Sequence, residues 1–154
     1  MFPAEIEKAK TYGDIFSIVK QAVKRTLGLH RVGLMLYLGN LPMRVGAFHP
    51  MGTNDIVINR RLLGTLNNLK QKSHVFAILV HEYLHTLGYS DESQVRRLTY
   101  RICKQNFGAQ HQVVQAAITG PWASLNLEDW EIMEPKLDLE LVRDFEKISS
   151  HYII

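Results

Sequence analysis

The chain has a single cysteine, Cys103. One thiol cannot staple its own chain, and it cannot furnish a cysteine-rich zinc site. A small apolar filler on a helix is the role expected of it. Long hydrophobic runs are also missing. The longest are "VFAILV" at 75–80 and "LMLYL" at 34–38, whereas a bilayer crossing needs about 20 apolar residues. No transmembrane helix is expected, and so no membrane partner. The N-terminus "MFPAEIEKAK" places charges where a signal peptide needs an apolar stretch, which predicts a cytoplasmic protein. Nothing along the 154 residues reads as a linker or a low-complexity stretch, so one domain over 1–154 is expected, with an acidic segment, 122–154, packing on it.

Acidic residues are scarce in the first three-quarters of the chain. Residues 1–120 hold 15 Lys/Arg against 7 Asp/Glu, and residues 121–154 hold 3 against 8. This asymmetry predicts contact between an acidic tail and a basic body. It also permits a nucleic-acid face centred on Arg96, Arg97, Arg101 and Lys104, although no stacking-aromatic motif accompanies it.

What is present is a change of period. Ile15, Ile18, Val19, Ala22, Val23 and Leu27 recur at helical spacing, with Asp14 as a plausible N-cap and Gly28 as the residue after the helix. Residues 4–10 could add a turn before it. Three short β-rich stretches follow, "RVGLMLYL" at 31–38, "MRVGAFH" at 43–49 and "DIVINR" at 55–60, separated by turn residues. A short helix is expected over 61–70. A longer one is expected from a Ser73 cap to Leu87, ending at Gly88. Another starts near Asp91, with Val95, Leu98, Ile102 and Cys103 inward. Residues 109–118 read as helix and 121–136 as loop. Leu137, Leu141, Val142, Phe145 and Ile148 are spaced as one face of a last helix.

The stretch "AILVHEYLHTLGYSDES" at 77–93 is apolar enough for a core, yet it carries His81, Glu82 and His85. Two histidines at i and i+4 share one helix face, so both imidazoles can reach one metal ion. Glu82, one residue on from the first, points beside the metal and can take a proton from a water on it. By composition alone, H-E-x-x-H turns up in roughly two per cent of such shuffled chains. Requiring Gly88 and Asp91 as well lowers that to roughly one in twenty thousand. Gly88 permits the sharp turn that ends the helix. Asp91, three residues past the turn, can supply a third ligand and leave the fourth position of a tetrahedral zinc open. Glu92, next door, is the alternative third ligand, or else a cap for the following helix. Two core histidines satisfied by unrelated hydrogen bonds would be a costlier arrangement.

The motif "HEYLHTLGYSD" resembles that of the Asp-type zincin metallopeptidases. With "GLMLYLGNLP" and "NDIVINR" upstream, the chain looks most like the mini-zincins over about residues 30–95. The resemblance implies an α+β, zincin-like fold: a small twisted sheet of about three to four strands packed on an N-terminal helix and an active-site helix, with further C-terminal helices. It implies a Zn2+ cofactor held by His81, His85 and Asp91, with Glu82 as general base. It also implies that "VGAFH" at 45–49 is the sheet edge that takes an extended peptide. Met133 is the one candidate for a methionine turn beneath the metal. His111 is a possible spare ligand, and Tyr83 and Tyr89 are possible hydrogen-bond donors to an oxyanion.

The activity so implied is zinc-dependent hydrolysis of a peptide or protein substrate. Two rivals stand beside it: a zincin-fold metal-binding module without turnover, and a nucleic-acid-associated protein using the basic helix near 96–104. A self-inhibited peptidase, with 121–154 lying over the cleft, is a third.

Overall fold

A computed structural model describes residues 1–62, 64–120 and 138–146. Two helices come first, α1 (Phe2–Lys8) and α2 (Tyr12–Leu27). Strands β1 (Met35–Gly39), β2 (Ala47–Phe48) and β3 (Asp55–Asn59) follow, with a 3-10 turn at Arg60–Leu62. Then come α3 (Leu69–Thr86), α4 (Glu92–Phe107), α5 (Gln112–Thr119) and β4 (Glu140–Leu141). Among the described residues the architecture is α+β: five helices and a four-stranded mixed sheet of order β2-β3-β1-β4. No helix among the described residues is long and apolar enough to cross a membrane.

β1 and β3 run parallel, in register from Met35 with Asp55 to Gly39 with Asn59. β2 runs antiparallel to β3 and forms one edge, while β4 runs antiparallel to β1 and forms the other. Alternation along the strands divides the side chains between two faces. Leu36, Ile56 and Ile58 join the main core with α2, α3, α4 and α5, whereas Val57 packs with Leu41, Val45, Tyr37 and Phe48 in a small second cluster.

Local chemistry sets the boundaries of each element. At the start of α2, Thr11 accepts from the Asp14 N–H at 3.0 Å, and Asp14 accepts in return from the Thr11 N–H at 3.2 Å. Asp14 is therefore the third residue of a capping box rather than the cap itself. Gly28 ends the helix at φ 72°, a conformation a side chain would resist. β1 starts four residues later than "RVGLMLYL" suggests, because the Glu146 carboxylate takes the Gly33 and Leu34 N–H groups at 2.8 and 3.3 Å. β2 is cut short by a turn that the buried Asn59 amide pins from below, donating to the carbonyls of Leu41, Pro42 and Val45 at 3.2, 3.0 and 2.8 Å.

The expected helix over 61–70 shrinks to the 3-10 turn, and α3 begins at Asn68 rather than Ser73. Asn68 accepts from the Gln71 N–H at 2.9 Å. It is as good a cap as serine and lies one turn earlier. Ser73 sits buried within α3. The polar run 70–72 disguises that first turn, and one of its members is buried for a reason: Lys72 Nζ donates to the Glu7 carbonyl at 2.6 Å, at the C-terminal end of α1. Cys103 is fully buried, and its thiol pKa is pushed up to about 12 by that burial. It is a filler, as expected.

The expected last helix is a correction. Leu137 and Ile148 lie outside the described residues, and between them Glu140 and Leu141 form a strand: Tyr37 and Leu38 face Leu141 and Glu140 across the ladder, and the Val142 N–H donates to the Leu36 carbonyl at 2.8 Å. The segment "LDLEL" alternates with period two, a strand pattern that the helical spacing of its leucines masks. Positive φ at Asp144, 57°, then turns the chain so that Phe145 enters the core and stacks on Phe16 at 4.1 Å. The acidic tail does meet the basic body. Glu140 pairs with Arg60 at 3.7 Å and Glu146 lies 4.0 Å from Lys20.

This anchoring creates a close approach at Gly13. A Cβ there would collide with the Asp144 carbonyl oxygen and press on that of Phe145 at 3.2 Å. Glycine to alanine in a helix ordinarily stabilises by up to about 1 kcal/mol. Here the sign reverses: Gly13→Ala lowers Tm, and Phe145→Ala costs about 3 kcal/mol. Thermal melts of both and of the double variant check this. The double is less destabilised than the sum, because a released 138–146 no longer crowds Gly13.

Candidate metal centre

Helix α3 is buried on nearly every side, from Val75 through Leu84. Its polar exceptions are His81, 3% exposed, and Glu82, 6% exposed. Burying such groups costs several kcal/mol unless each finds partners. They find them because the chain reverses directly after α3. The Tyr89 N–H donates to the Leu84 carbonyl at 3.2 Å and the Gly88 N–H to that of His85 at 3.1 Å. These are the two bonds of a Schellman motif, with Gly88 at φ 107° in the position that requires it. The turn carries the chain back across the histidines, where α4 begins.

Two adjacent carboxylates open α4, Asp91, expected as the third ligand, and Glu92, its alternative. Asp91 is the N-cap: its side chain accepts from the Ser93 N–H at 3.1 Å and is exposed. Glu92 reaches back into the site. Its Oε2 lies 3.0 Å from His81 Nε2, and its Oε1 lies 2.7 Å from His85 Nε2. His81, His85 and Glu92 each bring one ligand atom within 4.8 Å of the others, and Asp91 is not in that group. The reason is reach. A carboxylate on the cap residue is held by its own helix N-terminus, while the next residue, one methylene longer, can fold across the turn.

The donor set suits a divalent transition metal. His85 Nδ1 donates to the Tyr89 carbonyl at 2.8 Å, which fixes the tautomer and would leave Nε2 free to ligate an ion, as in metal-ligating histidines generally. Ligands at zinc distances in a tetrahedron stand about 3.3 Å apart. The separations of the Glu92 oxygens from the two imidazoles, 2.7 and 3.0 Å, are near that spacing. Two imidazoles and a carboxylate are also a common zinc donor set, although this chemistry does not by itself select zinc over its neighbours.

The charges are strongly coupled. Burial raises the pKa of Glu82, opposed by His81 and His85 and assisted by the negative charge of Glu92. Burial would also raise that of Glu92, but its hydrogen bonds to the two imidazoles overcome this and hold it far below the usual carboxylate range. For His85, burial alone would lower the pKa, and the contacts with Glu92 and Glu82 turn the shift upward.

The site opens into a cleft of about 550 Å³ lined by His81, Glu82, His85 and Glu92 on one side and by Ala47, Phe48 and His49 of the β2 edge on the other. Of the other expected participants, Tyr83 is fully buried. Its hydroxyl accepts from the Arg31 N–H at 2.8 Å, and its ring meets Phe16 edge-on, so it packs rather than facing a substrate. Tyr89 lines the cleft. His111 caps α5, accepting from the Val113 N–H at 3.1 Å, instead of serving as a spare ligand. Met133 lies outside the described residues. Arg96, Arg97, Arg101 and Lys104 are exposed on α4, and none of them lines the cleft. Arg31 also lines the cleft and went unmarked in the sequence, whereas His49, which lines it too, ends the stretch 45–49 expected as the substrate edge. His49 follows an edge strand directly, a usable signal. Arg31 has no local signal, because the contacts that place it are made 23 to 55 residues away.

Metal content measured on purified variants separates the two carboxylates. Asp91→Asn, which preserves the cap, keeps full metal stoichiometry. Glu92→Ala loses at least about tenfold in affinity. The reverse pattern would restore Asp91 as the ligand. No protein-family model, curated protein or solved structure matches the chain.

Proposed function

We propose that the chain is a metal-dependent peptidase of the zincin type that hydrolyses peptide bonds in a peptide or protein substrate, with zinc as the metal. The observation that carries this reading is the convergence of His81, His85 and Glu92 beside a buried Glu82, on a cleft whose far wall is an edge strand. A metal coordinated there supplies Lewis acidity to a scissile carbonyl and to water.

The protein's own groups do the rest. Among the described residues β2 has a partner on one side only, β3, so its outer edge can pair with an extended peptide and present it along the cleft. Glu82, on the turn between the two histidines, takes a proton from the attacking water and passes it to the leaving amine. Its buried setting raises its pKa and strengthens it as a base relative to an exposed glutamate. The Tyr89 carbonyl holds the His85 ring through Nδ1 and keeps it from rotating as charge moves nearby. The described part of the acidic tail, 138–146, runs along β1 at the opposite sheet edge from β2. That part does not cover the cleft.

Metal stoichiometry and cleavage of a mixed peptide pool provide the test. Glu82→Gln keeps its metal and loses cleavage by about 10²-fold or more. His85→Ala loses both. Equal metal content in wild type and His85→Ala would sink the site. Full metal with no cleavage of any peptide by the wild type would favour a metal-binding module without turnover.

A further inference from the structure

Arg31 stands on the wall of the cleft, just before β1. It is half-buried, and its guanidinium is held at two points. Nη1 donates to the Thr86 carbonyl, next to His85 at the end of α3, and Nη2 donates to the Asn54 side-chain oxygen, just before β3. Both partners are neutral. Among the described residues, no carboxylate lies within ion-pair distance of it. A partly desolvated guanidinium without a counter-charge is costly, and a purely structural tie between two neutral oxygens does not need a permanent positive charge.

The surroundings sharpen the point. The cleft's acidic groups are already engaged. Glu92 is bonded to both histidines, and Glu82 is buried beside them. A divalent ion at the histidines would make the cleft net positive once Arg31 is counted. His49 also lines the cleft. Burial lowers its pKa first, and repulsion from His85 and Arg31 adds to the lowering, against its bond to the Asp55 carbonyl. The guanidinium fork still has N–H donors beyond the two in use, in a planar arrangement that matches a carboxylate.

We propose that Arg31 is the specificity residue of the cleft, a pre-positioned anchor for a carboxylate on the substrate close to the bond held at the metal. This rests on the reading of the cleft as a peptide site. The carboxylate can come from an acidic side chain or from a free C-terminus, and the chemistry of recognition is the same.

The experiment measures binding, apart from turnover. Glu82→Gln protein loaded with zinc is titrated with four versions of one fluorescent peptide. Two lack carboxylates except where stated: one has an amidated C-terminus, and the other has a free one. The third and fourth are amidated and carry Asp or Asn at one internal position. At least one carboxylate peptide is expected to bind about tenfold tighter than its neutral counterpart, and Arg31→Gln removes that preference. Preference for the free C-terminus identifies the α-carboxylate as the source, and preference for Asp over Asn identifies the side chain. Equal affinities for all four, or a preference that survives Arg31→Gln, overturn the proposal. Arg31→Lys, which retains the charge and a carbonyl contact, restores part of the preference. Equal affinities in the Arg31 background overturn the proposal even if the substituted proteins fold poorly. Cleavage by protein with Glu82 intact is scored separately. Carboxylate-selective binding without cleavage defeats the peptidase reading alone, and cleavage without selectivity defeats the Arg31 assignment alone.

Discussion

The Glu92 carboxylate lying between two imidazoles is the contact on which the site depends. It brings residues from two helices to one point, at 2.7 and 3.0 Å, and gives His81 and His85 a reason to be buried. That contact in turn depends on the reversal at Gly88. Without a positive-φ residue directly after α3, the chain would leave in the helix direction, and α4 would start too far away for a glutamate to return. The reversal and the ion pair therefore form a unit of one turn, one cap and one reaching side chain.

The rest of the fold holds this unit still. Helix α3 is enclosed by α2, α4 and α5 and by the helix-facing side of the sheet. Its apolar residues set its position, and His81, Glu82 and His85 line the cleft. Tyr83 ties the segment before β1 to α3 through the Arg31 backbone, and the Arg31 side chain ties it to the end of α3. The sheet and the cluster of His81, His85 and Glu92 thus belong to one packed body, and interiors of this density move little. Beyond β4, Phe145 enters the same core and, with Glu146, fastens the acidic segment to α2 and to the residues before β1. The charge asymmetry of the chain is in this respect structural.

Much of the candidate site was legible before any coordinates. The i, i+4 spacing of His81 and His85 and the glycine that follows are local features, set by helix geometry and by φ, and they hold in the fold. α2, α4 and the strand cores are legible for the same reason: their periods are regular and their caps are strong. What misled were places where two local solutions compete. Asn68 and Ser73 are both good caps. "LDLEL" fits a strand as well as its leucines fit a helix. Asp91 and Glu92 can each cap or ligate.

The sequence by itself therefore determined that two histidines and a glutamate share one helix face, that the helix ends at Gly88, and that a carboxylate follows at once. These depend on interactions within a few residues of one another. Only the tertiary structure decided which carboxylate reaches the histidines, where the last strand lies, and which residues face the site across the cleft. Asp91 is held by the backbone of its own helix, β4 exists only because β1 offers it a free edge, and Arg31 is positioned by partners on α3 and ahead of β3. Each depends on groups distant in the chain, whose competition is settled by packing rather than by local pattern.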